Sequence, residues 1–353
     1  MKKADDFFQT LIRKDQSPGV TYHFFNKEKL IYSFRGGSAD IKSGMAVTGA
    51  TTFNAFSVTK TFTALAILQL QEHGRLDIDQ SAKSYLPEFP YGAEITIRNL
   101  LTHTAGIPNP VPLRWIHLAE DDASFSRDRF FEEVMATNKK LKSLPGQKFV
   151  YTNLGYFLLG RIIENISGLR YEEYIQRNIL DLLNLKTESL GFTISDISKH
   201  AKGYIKKNSF LNLVLGFFID KSKYMSPAEG AWKPFKTYYI NGTSYGGLIG
   251  TAGAFVVYLQ SLLDANCPLI STDWKKKMLS ENLTSDSKPS GMCMSWFTGN
   301  IKGHQYFSHA GGGGGYYCEI RLYPDLQRGS VIMFNRTGMN DERFLNKIDP
   351  YFL

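Results

Sequence analysis

Strand-like runs stand at both ends of this chain, and the stretch between them patterns mostly as helix. Near the N-terminus, Val20 to Phe25 and Leu30 to Phe34 are rich in aromatic and β-branched residues and flank the polar turn Asn26 to Lys29, which predicts a hairpin. After residue 250 come a helical pattern over 252–263 and strand-like runs at Met292 to Phe297, Tyr316 to Tyr323 and Ser330 to Phe334. Between the two groups lie apolar helical spacings at 58–73, 153–166 and 171–183. Such an order is incompatible with a βαβ array. It predicts an α+β fold in which both chain ends contribute to one antiparallel sheet, flanked by helices and interrupted by an inserted all-helical lobe. The expected division is residues 1–75 with 241–353 as the sheet-bearing lobe and 76–240 as the mostly helical lobe of a single unit.

The chain has 353 residues, 43% of them hydrophobic, enough for a sizeable core. Its 41 basic and 33 acidic residues give a net charge of +8, but the basic clusters are short and no zinc-finger or RNP-type motif accompanies them, so no nucleic-acid partner is expected. Cys267, Cys293 and Cys318 form no C-x-x-C pair and the seven histidines show no H-E-x-x-H spacing, so neither a metal nor another cofactor is expected. Met1 to Asp6 leads into an amphipathic segment without the apolar run of a signal peptide, and no run of 18 apolar residues suggests a membrane span. Cytoplasmic placement is the default; a trimmed export signal would make it periplasmic or extracellular. Phe210 to Ile219 is short and apolar, which predicts buried packing. Its flanking Lys206, Lys207, Lys221 and Lys223 suit the alternative, a lid or a peripheral membrane contact over 206–223.

Ser57-Val58-Thr59-Lys60 opens the helix at 58–73. A serine three residues before a lysine shares its helix face, so the amine can reach the hydroxyl. Burial would lower the amine's pKa and let it take the serine proton. Ser285-Asp286-Ser287-Lys288 repeats the spacing in a polar stretch before Pro289 and reads as a loop.

The run Phe56 to Leu70, with Gly74-Arg75-Leu76-Asp77, Tyr85-Leu86-Pro87 and Ile95 to Pro108, resembles the serine β-lactamase and penicillin-binding-protein superfamily, and most of all its class C β-lactamase-related branch. The resemblance spans about 18–336 and is weakest over 108–140 and 205–240. It implies a β-lactamase/transpeptidase-like fold and an acyl-enzyme on Ser57, with Lys60 and Tyr151 handling the proton. Tyr151-Thr152-Asn153 matches the branch's Y-x-N motif, Asn153 orienting the reacting groups; Tyr239-Ile240-Asn241 has the pattern without the place in the chain. His309-Ala310-Gly311 stands where many β-lactamases carry K-T-G, a departure more typical of related peptidases and esterases. By resemblance His309, Gly311 and Gly312 border the substrate, and the backbone N–H groups of Ser57 and Gly312 form the oxyanion hole. The implied partner is a small-molecule or peptide substrate: an ester, a D-amino-acid peptide or a β-lactam.

Two other readings compete. Gly242-Thr243-Ser244-Tyr245-Gly246 is a literal G-x-S-x-G, which in an α/β-hydrolase would make Ser244 the nucleophile with His304 or His309 as base, but the upstream βα units are missing. A non-catalytic protein that binds peptides or β-lactams would also keep the pocket.

Overall fold

The computed structural model describes residues 1–110, 115–337 and 343–353. Helix α1 (Lys2–Arg13) precedes strands β1 (Gly19–Asn26), β2 (Leu30–Asp40) and β3 (Met45–Ala46). Helices α2 (Thr59–Glu72), α3 (Asn153–Ser167), α4 (Phe210–Leu215) and α5 (Ala252–Leu263) follow, then strands β4 (Phe297–Ile301), β5 (His304–Gly313), β6 (Tyr316–Tyr323) and β7 (Arg328–Phe334). The sheet runs β4-β5-β6-β7-β1-β2-β3, antiparallel throughout, so the first and last strands of the chain pair at its centre, Val20 opposite Phe334.

Every residue of β6 is buried, because both sheet faces are covered. Alternation sorts the side chains. Cys318, Ile320, Leu322, Val331 and Met333 enter the large core shared with α2, α3 and α5. Tyr317, Tyr323, Ile332 and Phe334 meet Phe8 of α1 and Phe344 on the other face. There Asp349 accepts hydrogen bonds from Tyr22 (2.8 Å), Tyr323 (2.7 Å) and Ser330 (2.8 Å), tying the C-terminal turns to the sheet beside the buried Arg321–Glu319 pair.

Residues 59 to 70 of α2 are all buried, as expected of a helix with apolar residues on every side. Helix α2 thus runs through the interior, with its N-terminus opening where sheet and helices meet. Helices dominate 76–240, joined by two short ladders: Ile116–Leu118 with Tyr238–Ile240, and Tyr204–Lys206 with Trp232–Pro234.

Three expectations need correction. The inserted lobe is not all-helical, because the two ladders lie within it. Met292 to Trp296 is buried irregular backbone, and the strand begins only at Phe297. The apolar run was a packing signal and carried no strand periodicity. Phe210 to Ile219 is not simply buried: Phe210, Leu213 and Phe217 face solvent. The segment has apolar residues on both sides: Leu215 and Ile219 enter the core and Phe218 packs against it half-buried.

Candidate active site

Ser57 lies in the 3-10 turn Phe56–Val58 that feeds α2, after Phe56 in the left-handed region at φ 48°. One helical turn on, Lys60 is completely buried. Its Nζ lies 3.0 Å from Ser57 Oγ, 2.8 Å from Asn153 Oδ1 and 2.8 Å from the carbonyl of Tyr245. Burial holds the Lys60 pKa well below its ordinary value of 10.5. A neutral amine has two N–H donors and one lone pair. Asn153 and Tyr245 can take the donors, leaving the lone pair toward the serine hydroxyl.

Tyr151 Oη donates to Ser57 Oγ at 2.8 Å. Its position comes from the end of a loop locked to the helix that follows. Thr152 caps α3, accepting from Gly155 N–H, and its hydroxyl donates to the carbonyl of Pro108. The Asn153 N–H donates to Asn109 Oδ1. His103, at φ 56°, packs its ring at a 37° tilt against that of Tyr151, centroids 4.4 Å apart, and its Nδ1 accepts from the Thr152 N–H. Burial first, then Lys60 and His309, push the His103 pKa well below 6.5, so the ring is the neutral acceptor this contact requires. His103 lies within the matching run Ile95 to Pro108, but nothing in the sequence assigns it this contact, which depends on the packing of distant segments. Tyr245 escaped for a different reason: it acts through its carbonyl, which no side-chain pattern reports.

The opposite wall is β5. Its partner β4 pairs only with His304 to Ser308, leaving residues 309–313 with a free edge toward the Ser57 turn. Gly311 is pressed against that turn: a Cβ there would stand 2.2 Å from the Ala55 carbonyl oxygen and 2.6 Å from Ser57 N. Gly312 is exposed, with nothing nearer than 3.6 Å to a Cβ, and borders the groove. The following glycines make the turn into β6, Gly314 at φ 45° and Gly315 at φ 98°.

His309 departs from expectation. It does not border the groove but is wholly buried behind it, with Nδ1 2.5 Å from the Ser295 carbonyl and its ring against Phe297. Burial and Lys60 lower its pKa to about 3, so it is neutral. Side chains alternate along a strand, and the register that presents Gly312 to the groove turns His309 inward.

The α/β-hydrolase alternative fails on geometry. Ser244 is buried, donates to the Tyr156 carbonyl at 2.9 Å, and sits on a single helical turn, Thr243–Gly246. Tyr239 and Asn241 belong to a strand end, where Asn241 meets His117 at 2.8 Å. Ser285 and Lys288 lie in an exposed loop, Lys288 paired with Asp286.

Two spaces meet at Ser57. An open groove of about 1180 Å³ is bordered by Tyr151, Asn153, Gly311 and Gly312, with Phe149, Phe297, Lys206 and Arg336 farther out. On the other side, a cavity of about 110 Å³ is lined mainly by Trp115, Leu215, Ile219, Phe235, Tyr238 and Tyr245.

Comparison with known proteins supplies relatives. The family model described as Beta-lactamase matches residues 4–349. Protein flp of Staphylococcus aureus (strain COL) is 29% identical over 209 residues, which are 58% of this chain and 41% of that protein. The match thus spans about two fifths of that relative's length. Penicillin-binding protein 4* of Bacillus subtilis (strain 168) is 25% identical over 342 residues, covering 95% of this chain and 72% of that one. Among solved structures, the octameric penicillin-binding protein homologue from Pyrococcus abyssi superposes with TM-score 0.76 at 25% identity, over 95% of this chain and 73% of the other. A class C beta-lactamase reaches TM-score 0.76 at 20% identity, over 99% and 95%, a likeness of fold.

Proposed function

The chain belongs to the Beta-lactamase family, and from that premise we propose that it is a serine hydrolase acting through an acyl-enzyme on Ser57. The observation that carries the reading is the convergence on one hydroxyl of Lys60 Nζ at 3.0 Å and Tyr151 Oη at 2.8 Å. A nucleophile and its base at hydrogen-bond distance are what general-base activation requires. A pocket kept only for binding has no need of that contact.

In the proposed mechanism, Ser57 Oγ attacks the carbonyl carbon of an ester or amide as its proton passes to the neutral Lys60. The carbonyl oxygen becomes an oxyanion, received by the backbone N–H groups of Ser57 and Gly312. Tyr151 relays the proton to the departing oxygen or nitrogen, the bond to the leaving group breaks, and an ester on Ser57 remains. Water, giving its proton to the same pair, then attacks that ester, the bond to Ser57 Oγ breaks, the pair returns the proton to Oγ, and the acid is released. Asn153 holds Lys60 through its amide oxygen and reaches the substrate from the groove wall.

The two spaces suggest how a substrate divides. The apolar cavity suits an acyl side chain of roughly four to six carbons, by comparison with cavities of about 150 Å³ that admit benzene. The wider groove suits a larger leaving group. The test is intact-mass labelling with a fluorophosphonate, and separately a penicillin, on wild type, Ser57→Ala and Ser244→Ala. The expected result is a fluorophosphonate adduct lost only in Ser57→Ala. Loss only in Ser244→Ala, or no adduct in any protein, would overturn the mechanism.

A further inference from the structure

Residues 206–224 carry apolar side chains on both sides of the backbone. Inward, Leu215 and Ile219 line the cavity beside Ser57. Outward, Phe210 is 80% exposed, Leu213 65% and Phe217 78%; Phe210 and Leu213 stand three positions apart on α4, and Phe217 follows in the turn after its end. With Leu211, four of the twelve exposed large apolar side chains among the described residues fall within eight positions. Isolated exposed apolar residues need no explanation, whereas a cluster marks an interaction surface.

The charges around the cluster indicate what it meets. Between residues 205 and 225 four lysines face one acid, Asp220, whose carboxylate is engaged by the Ser222 and Lys223 N–H groups. Lys207 and Lys223 are exposed, the latter 3.7 Å from Asp121; Lys206 and Lys221 flank them half-buried. A second copy seated face to face would set these lysines against their own images, which opposes self-association. Aromatic and leucine side chains flanked along the chain by the exposed Lys207 and Lys223 are instead complementary to an anionic bilayer, where the rings enter the headgroup–acyl boundary and the amines meet the headgroups.

We infer that residues 210–217 dock this protein on an anionic lipid surface, with Phe210, Leu213 and Phe217 as the inserting side chains. Phe210 and Leu211 also border the groove, so docking brings its mouth to the lipid boundary.

The test is co-sedimentation of the full chain with vesicles of phosphatidylcholine alone and of equal parts phosphatidylcholine and phosphatidylglycerol. Anionic vesicles should bind at least tenfold more protein, since each lysine in reach of the headgroups contributes about fivefold. Leu213→Ser/Phe217→Ser should lose at least tenfold of that binding at an unchanged melting temperature, since both side chains are exposed. Lys207→Glu/Lys223→Glu should lose it too, with the apolar face intact. Wild-type protein left in the supernatant with anionic vesicles, equal binding to both vesicle types, or undiminished binding by the Ser variant would each overturn the inference. So would a concentration-dependent dimer that the Ser variant dissociates.

Discussion

Gly311→Ala tests whether the fit between β5 and the Ser57 turn sets the nucleophile. The new methyl carbon would fall 2.2 Å from the Ala55 oxygen and 2.6 Å from Ser57 N, with Phe56 Cβ at 3.0 Å. Favourable contacts need about 3.5 Å, so strand and turn must part by about 1 Å. The two nearest obstacles are backbone atoms, and Phe56 already holds φ 48°, so no flexible side chain can yield instead. Overpacking of this kind costs about 1–3 kcal/mol of stability. A displacement of about 1 Å at a reacting group costs about 10²-fold in rate, or about 2.7 kcal/mol of barrier. Gly312→Ala is the control: its Cβ meets nothing within 3.6 Å, so stability should change by less than about 1 kcal/mol. Urea denaturation gives the stability and the rate of fluorophosphonate labelling gives the reactivity of Ser57. A Gly311→Ala protein with the wild-type urea midpoint and labelling rate would refute the reasoning.

Four further outcomes are expected. Tyr151→Phe removes the phenol that donates to Ser57 and should slow acylation by about 10²–10⁴-fold with little change in melting temperature, measured on a chromogenic ester. Because Lys60 must be neutral to act as base and burial lowers its pKa, kcat/KM should fall only as pH drops through that lowered value; an acid limb at the ordinary lysine pKa of 10.5 would contradict the mechanism. His200, buried between Thr52 and Tyr316, has its pKa lowered from 6.5 to about 3, so the unfolded chain gains a proton as pH falls below 6.5 while the folded one does not. Stability present above pH 6.5 is therefore lost on acidification, about 2 kcal/mol at pH 5 from this residue, and His200→Gln should show a correspondingly smaller drop in urea midpoint between pH 7 and pH 5. Finally, Ile219→Trp should fill the apolar cavity and shift preference from butyryl or hexanoyl toward acetyl esters, read as the ratio of their kcat/KM values.

Ser57 and Lys60 were legible because they stand at a helix start, where spacing along the chain translates directly into position in space, whereas Tyr151 and Asn153 were legible through the resemblance of Tyr151-Thr152-Asn153 to the Y-x-N motif. The helices expected from periodicity at 58–73, 153–166 and 252–263 are observed at 59–72, 153–167 and 252–263. Strand β5 was harder. Its His309-Ala310-Gly311-Gly312 run has no alternation of apolar and polar residues, so nothing local revealed which side chain turns inward, and His309 was expected at the groove.

The sequence by itself determined the helices at 58–73, 153–166 and 252–263, that both chain ends contribute to one sheet, and which serine has a lysine one helical turn away. The helices and the serine–lysine pair are short-range properties, carried by periodicity and by residues three or four positions apart, and the shared sheet follows from the order of elements along the chain. Only the tertiary structure decided that Tyr245 offers its carbonyl to Lys60, that His103 braces Tyr151, that Ser244 is sealed against Tyr156 and that Phe210, Leu213 and Phe217 look outward. Each depends on which surfaces distant in the chain come to face one another. An apolar side chain records that burial is favourable, but the number of neighbouring surfaces available decides whether it is buried.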